Sequence, residues 1–251
     1  MDLGLRGKVA VIGGGSSGLG LAVAKELAAE GAHVSIASRS ADKLARAAAE
    51  IGGEVHTAVV DVRDQAAVQA WIDGAAAAFG AVHIVVANAG GPPPGPATAF
   101  DLDAYRAAIE VNLLGSIATV QAALPHLRAA GWGRILFVTS QGVRRPIPHL
   151  ALSNTARPGI LGYAMSLVHD LGGSGITVNV LAPGLTRTAR LEELAGNDPA
   201  AIDAMGRAVP IGRVGEAGEF AAIAVFLASE RASYVTGAVI PVDGGTTGLL
   251  L

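Results

Sequence analysis

Short apolar runs rich in valine and isoleucine alternate along the chain with longer, alanine-rich stretches. A run that is apolar at every position predicts a strand buried on both faces, because a strand with one wet face would alternate with polar residues. The run 9–12 is apolar throughout, and similar runs that include some polar residues predict further strands at about 33–37, 54–60, 82–87, 134–139, 176–181 and 238–242. The stretches between them predict helices at about 19–30, 42–51, 65–79, 101–130, 152–171 and 216–227.

Strands that alternate with helices predict an α/β fold. Buried strands form parallel sheets with helices on both faces, and right-handed crossovers wind such sheets outward from the centre. We therefore expect residues 1–251 to form a single Rossmann-type, doubly wound domain around a seven-stranded parallel sheet. Pro125 is expected to kink the long fourth helix, and the insert at about 186–207 is expected to form a lid over the substrate.

Composition narrows the classes of function. Hydrophobic residues make up 51% of the chain, which is enough for a large core. The net charge is −3, so the sequence does not indicate a surface that binds nucleic acid. The absence of cysteine excludes disulfides and thiol catalysis and argues against a metal site. The first residues lack a signal-peptide pattern, and the apolar runs are shorter than the ~20 residues of a membrane span. We expect a cytoplasmic protein without a membrane or nucleic-acid partner.

A glycine-rich turn joins the first predicted strand to the first helix. Glycine lets the backbone approach a phosphate closely, and the helix N-terminus offers free N–H groups and a positive dipole end. The position in the first strand–helix unit predicts dinucleotide binding rather than a turn without a ligand. The residues expected to hold the pyrophosphate are Gly14, Ser16, Ser17, Gly18, Leu19 and Gly20.

Ser38 and Arg39 follow the second predicted strand. An acidic residue at this place accepts hydrogen bonds from the adenosine ribose, whereas a basic residue meets a 2′-phosphate. Arg39 therefore predicts NADP(H) in preference to NAD(H), with a solvated loop arginine as the alternative.

Motifs along the whole chain resemble the short-chain dehydrogenase/reductase (SDR) family. The resemblance rests on the spacing Gly14-x-x-x-Gly18-x-Gly20, and it is carried further by motifs in the same order as in the family. These are Asn88-Ala89-Gly90, Val111-Asn112-Leu113, Ser140, Pro183-Gly184, Pro210-Ile211-Gly212-Arg213 and Val242-Asp243-Gly244-Gly245. The family has threonine where this chain has Gly13, which removes a hydroxyl and is expected to loosen the turn.

The resemblance implies further cofactor contacts. The pair Asp61-Val62 would hold the adenine, although Asp61 as a helix cap is an open alternative. The segment Asn88-Ala89-Gly90 would frame the nicotinamide ribose. Pro183, Gly184, Thr186 and Thr188 follow the sixth predicted strand, and Thr188 matches the position that contacts the nicotinamide carboxamide.

The family's catalytic group is Asn, Ser, Tyr and Lys, and this chain keeps only the first two. Asn112 and Ser140 match, but Ser153 stands where the resemblance places the tyrosine, and Arg157 stands in the lysine position. An alcohol is a far weaker acid than a phenol, so serine is a poor proton donor near pH 7. The pattern Ser-Asn-x-x-Arg is similar to a divergent subgroup that is called 3-oxoacyl-carrier-protein-reductase-like.

Two expectations follow for the changed site. His149 is the candidate replacement for the proton donor, since imidazole titrates near neutral pH, with an exposed loop histidine as the alternative; Tyr163 is too far along its helix. Pro158 disfavours α geometry at the preceding residue, so Arg157 is expected to sit differently from the family lysine.

Substrate and assembly are also predicted. Arg144, Arg145, Arg187 and Arg190 lie in loops that should flank the cleft, and they favour an anionic small molecule or a phosphopantetheine carrier as substrate. The resemblance implies a homotetramer or homodimer through the two long helices and the last strand, and the apolar end 248–251 suits a subunit contact.

Two functions remain open. The first is an NADP(H)-dependent oxidoreductase with an atypical proton-transfer site, which reduces a carbonyl or a conjugated alkene or oxidises an alcohol. The second is a catalytically degenerate nucleotide-binding or regulatory protein. Asn112 and Ser140 favour the first, and the double change at Ser153 and Arg157 favours the second.

Overall fold

Nine strands are seen in the computed structural model, which describes residues 1–248. They are β1 (Val9–Gly13), β2 (His33–Ser38), β3 (Val55–Val59), β4 (Ile84–Ala87), β5 (Gly133–Val138), β6 (Ile176–Pro183), β7 (Thr186–Arg187), β8 (Gly215–Glu216) and β9 (Val239–Val242). Seven pair in parallel, in the order β3-β2-β1-β4-β5-β6-β9, and β7 pairs separately with β8. The expected seven-stranded parallel sheet is confirmed.

Helices cover both faces of this sheet. They are α1 (Gly18–Ala29), α2 (Ala41–Ile51), α3 (Gln65–Phe79), α4 (Leu102–Ile109), α5 (Gly115–Ala130), α6 (Ala151–Ala156), α7 (Gly159–Asp170), α8 (Ala189–Leu194), α9 (Pro199–Arg207) and α10 (Ala217–Ala228). In β1, Ala10 and Ile12 enter a core with α1, α2 and α10, while Val11 enters a second core with α3, α5 and α7. This two-sided burial explains why β1 is apolar at every position.

The strand order reverses between β1 and β4, since β2 and β3 lie on one side of β1 and β5, β6 and β9 lie beyond β4. At such a point the connections after neighbouring strands diverge to opposite faces, which opens a crevice at the carboxyl ends of the strands. The fold therefore places the ends of β1, β2, β4, β5 and β6 around one cleft.

The predicted helix 101–130 is a continuous helical run with a wide turn inside it. A π-helical segment, Glu110–Leu114, separates α4 from α5, and Pro125 lies within α5 without ending it. The run Leu102–Ala130 is long and apolar enough to cross a membrane, contrary to the expectation from run lengths. It packs against α3 and the sheet, as a core helix of a globular fold does.

The predicted helix 152–171 is divided into α6 and α7 at Arg157 and Pro158. The expectation that Arg157 avoids α geometry is wrong, because its φ and ψ are −74° and −32°. The proline instead interrupts the hydrogen-bond ladder: having no N–H, it leaves the Asn154 carbonyl without the usual helical donor. Bonding resumes where the Ile160 N–H donates to the Arg157 carbonyl at 3.0 Å.

Residues 186–207 form β7, α8 and α9, and α8 lies along the cleft. A lid movement of this insert stays a prediction. The proposed subunit contact at 248–251 falls almost wholly outside the described residues.

Candidate active site

One cleft of about 840 Å³ lies at the carboxyl ends of the central strands. It is continuous from the glycine turn after β1 to α8, and it takes residues from the ends of β1, β2, β4, β5 and β6. All predicted cofactor residues except Gly20 line this cleft, as do four of the five predicted catalytic residues, Asn112, Ser140, Ser153 and Arg157.

The glycine turn is packed closely against the end of β4. Gly14 and Gly18 have φ of +58° and +55°, which glycine adopts readily. A Cβ on Gly20 would lie 2.4 Å from the Gly14 carbonyl oxygen, so Gly20 lets α1 pack under the turn rather than lining the cleft. Ser17 precedes α1 without capping it through its side chain, which leaves the helix N–H groups available to a phosphate.

Gly13 ends β1 in close contact with Asn88, and a looser turn caused by its missing hydroxyl stays a prediction. A Cβ there would lie 2.7 Å from the Asn88 carbonyl oxygen, so a threonine would not fit without moving β4. The Asn88 side-chain Nδ2 donates to the Gly13 carbonyl at 3.0 Å. This bond joins the end of β1 to the residue that follows β4.

Basic side chains mark the end of the cleft after β2. Arg39 lines the cleft as predicted, and Lys43, in the first turn of α2, joins it. Sequence reasoning missed Lys43. The signal was present, because Ser40 caps α2 by accepting from the Lys43 N–H, and this places residue 43 one turn into a helix that starts beside Arg39.

Asp61 lies in the same region but is not a helix cap. Asp64 caps α3 by accepting from the Ala67 N–H at 3.0 Å, and the capping alternative for Asp61 is therefore wrong. Hydrogen bonds from the Arg63 side chain and backbone lower the pKa of Asp61 to about 2. Asp61 is thus a fixed carboxylate beside the cleft.

Asn112 lies in the π-helical turn and is 5% exposed. Its Nδ2 donates to the Ala108 carbonyl at 3.2 Å, while its Oδ1 is buried without a donor among residues 1–248. A buried acceptor without a partner is costly, and π-turns occur often at functional sites. The wide turn therefore aims a polar amide at a site that a ligand or water would complete.

Two hydroxyls face the same region. The Ser140 Oγ follows β5 and accepts from the Gly142 N–H at 3.1 Å, which leaves its own proton free to donate. The Ser153 hydroxyl has no protein partner within the described chain. Ser153 lies one helical turn before Arg157, whose N–H donates to the Ser153 carbonyl at 3.1 Å.

Arg157 is buried at the floor of the cleft. Its Nη1 donates to the carbonyls of Thr139 and, at 3.3 Å, of Val138, and its Nη2 donates to that of Ala89 at 3.5 Å. No carboxylate pairs with it among residues 1–248. Burial lowers the pKa of Arg157 to about 10, so the side chain remains a cation near neutral pH.

His149 lies outside the cleft lining. Its side chain is exposed and its φ is +59°, and its carbonyl accepts from the Gly95 N–H at 2.6 Å, which ties this loop to the Pro-rich loop. A catalytic His149 stays a prediction that would need the loop to turn inward. Tyr163 packs edge-on against Phe137, away from the cleft, as expected from its place along the helix.

Only one of the four predicted substrate-flanking arginines lines the cleft, and that one is Arg190. Arg144 donates to the Val239 carbonyl at 2.6 Å, and Arg187 pairs with Glu216. Arg145 is exposed and absent from the lining. Loop position alone did not reveal where these long side chains point.

Asn154 is a second residue that sequence reasoning missed. Its side chain accepts from the Ile147 N–H at 3.1 Å and donates to the Ile147 carbonyl at 2.8 Å. These two bonds fix the loop that carries Ile147 and Leu150 into the cleft wall. The asparagine in the Ser-Asn-x-x-Arg pattern thus shapes the site without entering it.

Replacing Asn154 by alanine is expected to destabilise the protein by about 1–3 kcal/mol, because Ile147 loses both partners. A melting curve would register this loss as a fall of about 2–4 °C for each kcal/mol. Thr155→Ala is the matched control, since that hydroxyl only bonds the carbonyl one turn before it on an exposed face. Equal melting temperatures for the two variants would contradict the role of Asn154.

Comparisons with known proteins agree with this geometry. Residues 14–247 match the family model described as Enoyl-(Acyl carrier protein) reductase. The chain is 38% identical to cis-4-hydroxycyclohexanecarboxylate dehydrogenase of Sinomonas cyclohexanicum and 33% identical to 2-dehydro-3-deoxy-L-rhamnonate dehydrogenase (NAD(+)) of Sphingomonas sp., each over 96% of both chains. L-Sorbose reductase of Gluconobacter frateurii, solved with NADPH and L-sorbose, superposes with a TM-score of 0.93 at 30% identity over 100% of both chains.

Proposed function

The chain belongs to the short-chain dehydrogenase/reductase family, and we propose that it is an NADP(H)-dependent oxidoreductase that works without a tyrosine proton donor. One observation carries the proposal: the uncapped start of α1 and the polar group of Asn112, Ser140, Ser153 and Arg157 line the same cleft. A family member that had only kept the fold would not need a buried, unpaired Asn112 Oδ1 and a desolvated Arg157 at this place.

The residues present fit a nicotinamide dinucleotide. The turn after β1 and the α1 N-terminus would hold the pyrophosphate, and Asp61 and Val62 would flank the adenine. Arg39 and Lys43 would bind the 2′-phosphate of NADP(H), which NAD(H) lacks. When bound, this cofactor supplies or accepts a hydride.

The chain's own residues would then act on the substrate. Ser140 and Ser153 would donate hydrogen bonds to the reacting oxygen, and Asn112 would hold a water molecule through its free Oδ1. Arg157 would supply a fixed positive charge for negative charge that develops on the substrate, which preorganised groups do without reorganisation. Protons would come from water, because no phenol or imidazole lines the cleft within the described residues. Reduction of a carbonyl or a conjugated alkene, and the reverse oxidation of an alcohol, all fit this arrangement.

The missing tyrosine supports a second candidate function, a regulatory protein that binds the nucleotide without turnover. Single-turnover mixing with NADPH and a panel of ketones and enones separates the two. Loss of NADPH absorbance supports the enzyme, whereas binding without any oxidation of NADPH supports the regulatory protein.

NADPH is expected to bind at least about 10-fold more tightly than NADH, since a charge-assisted hydrogen bond contributes about 1.5–3 kcal/mol. Arg39→Ala and Lys43→Ala should each weaken NADPH binding by about 10-fold and leave NADH binding unchanged. Titrations that follow cofactor fluorescence measure the dissociation constants of NADPH and NADH. Arg46→Ala is the control, because Arg46 lies one turn further along α2 and outside the cleft lining. Tighter binding of NADH than of NADPH would contradict the cofactor assignment.

We also propose a cytoplasmic homotetramer or homodimer that assembles through the long helices and β9. Side chains with exposed apolar surface on these elements, such as Leu102 and Leu114 on the helical run, support a subunit contact. Light scattering would test this assembly, and a monomeric mass would contradict it.

A further inference from the structure

The part of the cleft beyond the proposed position of the nicotinamide ring is mostly apolar, but its floor carries positive charge. Its lining includes Phe100, Ala104, Val111, Ile147, Leu150 and Leu194. Among residues 1–248, the charged residues that line the cleft are four basic ones and one acidic one: Arg39, Lys43, Arg157, Arg190 and Asp61. Asp61 is engaged by Arg63 near Arg39, so no carboxylate lines the substrate part of the described cleft.

Arg157 and Arg190 approach each other at Gly91. A Cβ placed on Gly91 would lie 4.0 Å from Arg157 Nη2 and 4.0 Å from Arg190 Nε, with no other non-neighbouring atom nearer among the described residues. The two guanidinium groups thus lie on either side of one position, which an added carbon atom would fill in ordinary contact with both. Gly91 has an ordinary φ, so the absence of a side chain there serves space rather than backbone conformation.

Arg157 contacts main-chain carbonyls, and no carboxylate pairs with it among residues 1–248. Arg190 donates to the Pro92 carbonyl at 2.9 Å and pairs with the exposed Glu193 at 3.6 Å, so the unpaired buried cation of the two is Arg157. A desolvated cation without an anion is unfavourable, and a bound anion would relieve that cost. A planar guanidinium group can donate two parallel hydrogen bonds to the two oxygens of a carboxylate.

We propose that the substrate carries a carboxylate on an apolar body, and that this carboxylate binds beside Gly91, between Arg190 and the Nη2 side of Arg157. The Nη1 side of Arg157, which bonds the carbonyls of Val138 and Thr139 next to Ser140, is left to act at the reacting atoms. The proposal rests on the proposed function, because it takes this cleft as the substrate site. The sequence predicted that four loop arginines bind the anion. The proposed site keeps Arg190 from that set and adds Arg157. A small-molecule carboxylate is favoured over a carrier phosphate because this position lies next to the buried Arg157.

Binding to the NADPH complex tests the proposal without a known substrate. Cyclohexanecarboxylate and cyclohexanecarboxamide are titrated into the complex, with 4′-phosphopantetheine as the alternative anion. We expect the carboxylate to bind at least about 10-fold more tightly than the amide, and this preference to fall below about 2-fold in Arg190→Met. Arg187→Met is the matched control, since Arg187 pairs with Glu216 outside the cleft, and it should keep the wild-type preference.

A gain-of-charge variant tests the same position in the opposite way. Gly91→Asp places a carboxylate between the two guanidinium groups, and it should abolish the preference for cyclohexanecarboxylate. It should also raise the melting temperature by about 2–4 °C relative to the isosteric Gly91→Asn, because the buried cation gains an anion. This second readout does not depend on any bound ligand.

The outcomes separate the two proposals. Equal binding of acid and amide, binding of neither, tighter binding of phosphopantetheine, or an unchanged preference in Arg190→Met would each overturn the carboxylate site. If NADPH binds normally in these titrations, the proposed oxidoreductase function survives such a failure. If NADPH itself does not bind, the proposed function fails, and the Gly91→Asp melting temperature still decides whether the arginine pair accepts a carboxylate.

Discussion

Replacing Arg157 by methionine is expected to lower kcat for NADPH oxidation by at least about 100-fold while the protein stays folded. A preorganised donor or charge at the reacting centre typically contributes a factor of about 100–1,000 to kcat. Arg157 is a buried cation that lines the same cleft as Ser140 and Ser153, and methionine has a similar length without the charge. Single-turnover mixing with a ketone or enone found by screening gives the rate.

The stability of this variant is expected to change little. Removing Arg157 takes a donor from the carbonyls of Val138, Thr139 and Ala89, but all three residues line the cleft, and we expect water to take the place of the guanidinium there. Removing the cation also relieves its desolvation, which opposes that loss. We expect a melting temperature within about 4 °C of the wild type.

Arg157→Lys is the control that keeps a positive charge but removes the planar guanidinium group. It should keep more of the rate than methionine does, since the positive charge remains while the hydrogen bonds to the strand ends are rearranged. Arg190→Met should instead raise KM and leave kcat nearly unchanged, because Arg190 anchors the substrate away from the reacting atoms. A methionine variant with the wild-type kcat would show that the Arg157 charge does not act on the transition state.

The sheet and the glycine turn could be predicted because their signals are local. A strand buried on both faces is apolar throughout, and a phosphate turn between a strand and a helix needs glycine at fixed places. The π-helical turn at Asn112 gave no such signal, since residues on either side of it follow ordinary helical spacing. The π-helical turn holds one more residue than a turn of α-helix, and the need for that residue depends on how α4 and α5 pack against the sheet.

Side-chain direction was the part that the sequence could not provide. Arg144 and Arg190 were both predicted in loops near the cleft, but Arg144 reaches back to the β9 backbone, while Arg190 lies in α8 and lines the cleft. Arg157 was placed correctly beside Ser153, yet its contacts with the ends of β4 and β5 depend on strands that are distant in sequence. The bond between Asn88 and Gly13 likewise joins residues that are 75 positions apart in the sequence.

The pH dependence of hydride transfer is expected to be flat between about pH 6 and 9 in the wild type. Neither a serine hydroxyl nor Arg157, with its pKa lowered to about 10, titrates in this range. Arg157 is protonated below that pKa, so the rate should fall only as the pH rises through about 10 and the cation is lost. A rate that changes between pH 6 and 8 would instead indicate a histidine. Loss of that change in His149→Ala would then identify His149 as the proton donor.

Ser153→Tyr is expected to increase carbonyl reduction by about 100-fold and to make it depend on pH. Ser153 lines the cleft, so a tyrosine ring there would project into open space, one helical turn from the Arg157 cation. A positioned general acid contributes about 100–10,000-fold, and the cation would lower the tyrosine pKa from its usual value of ~10. Reduction needs the protonated phenol, so the rate of the variant should fall as the pH rises through the tyrosine pKa.

Ser153→Phe is the control that separates the effect of the phenol hydroxyl from the effect of the ring's size. The two rings fill the cleft alike, but only tyrosine carries a proton, so phenylalanine should give no gain and should leave the flat profile unchanged. Equal rates in the two variants would mean that proton supply does not limit the reaction. In that case the natural serine would be suited to a substrate, such as a conjugated alkene, whose reduction produces an anion that Arg157 stabilises and water protonates afterwards.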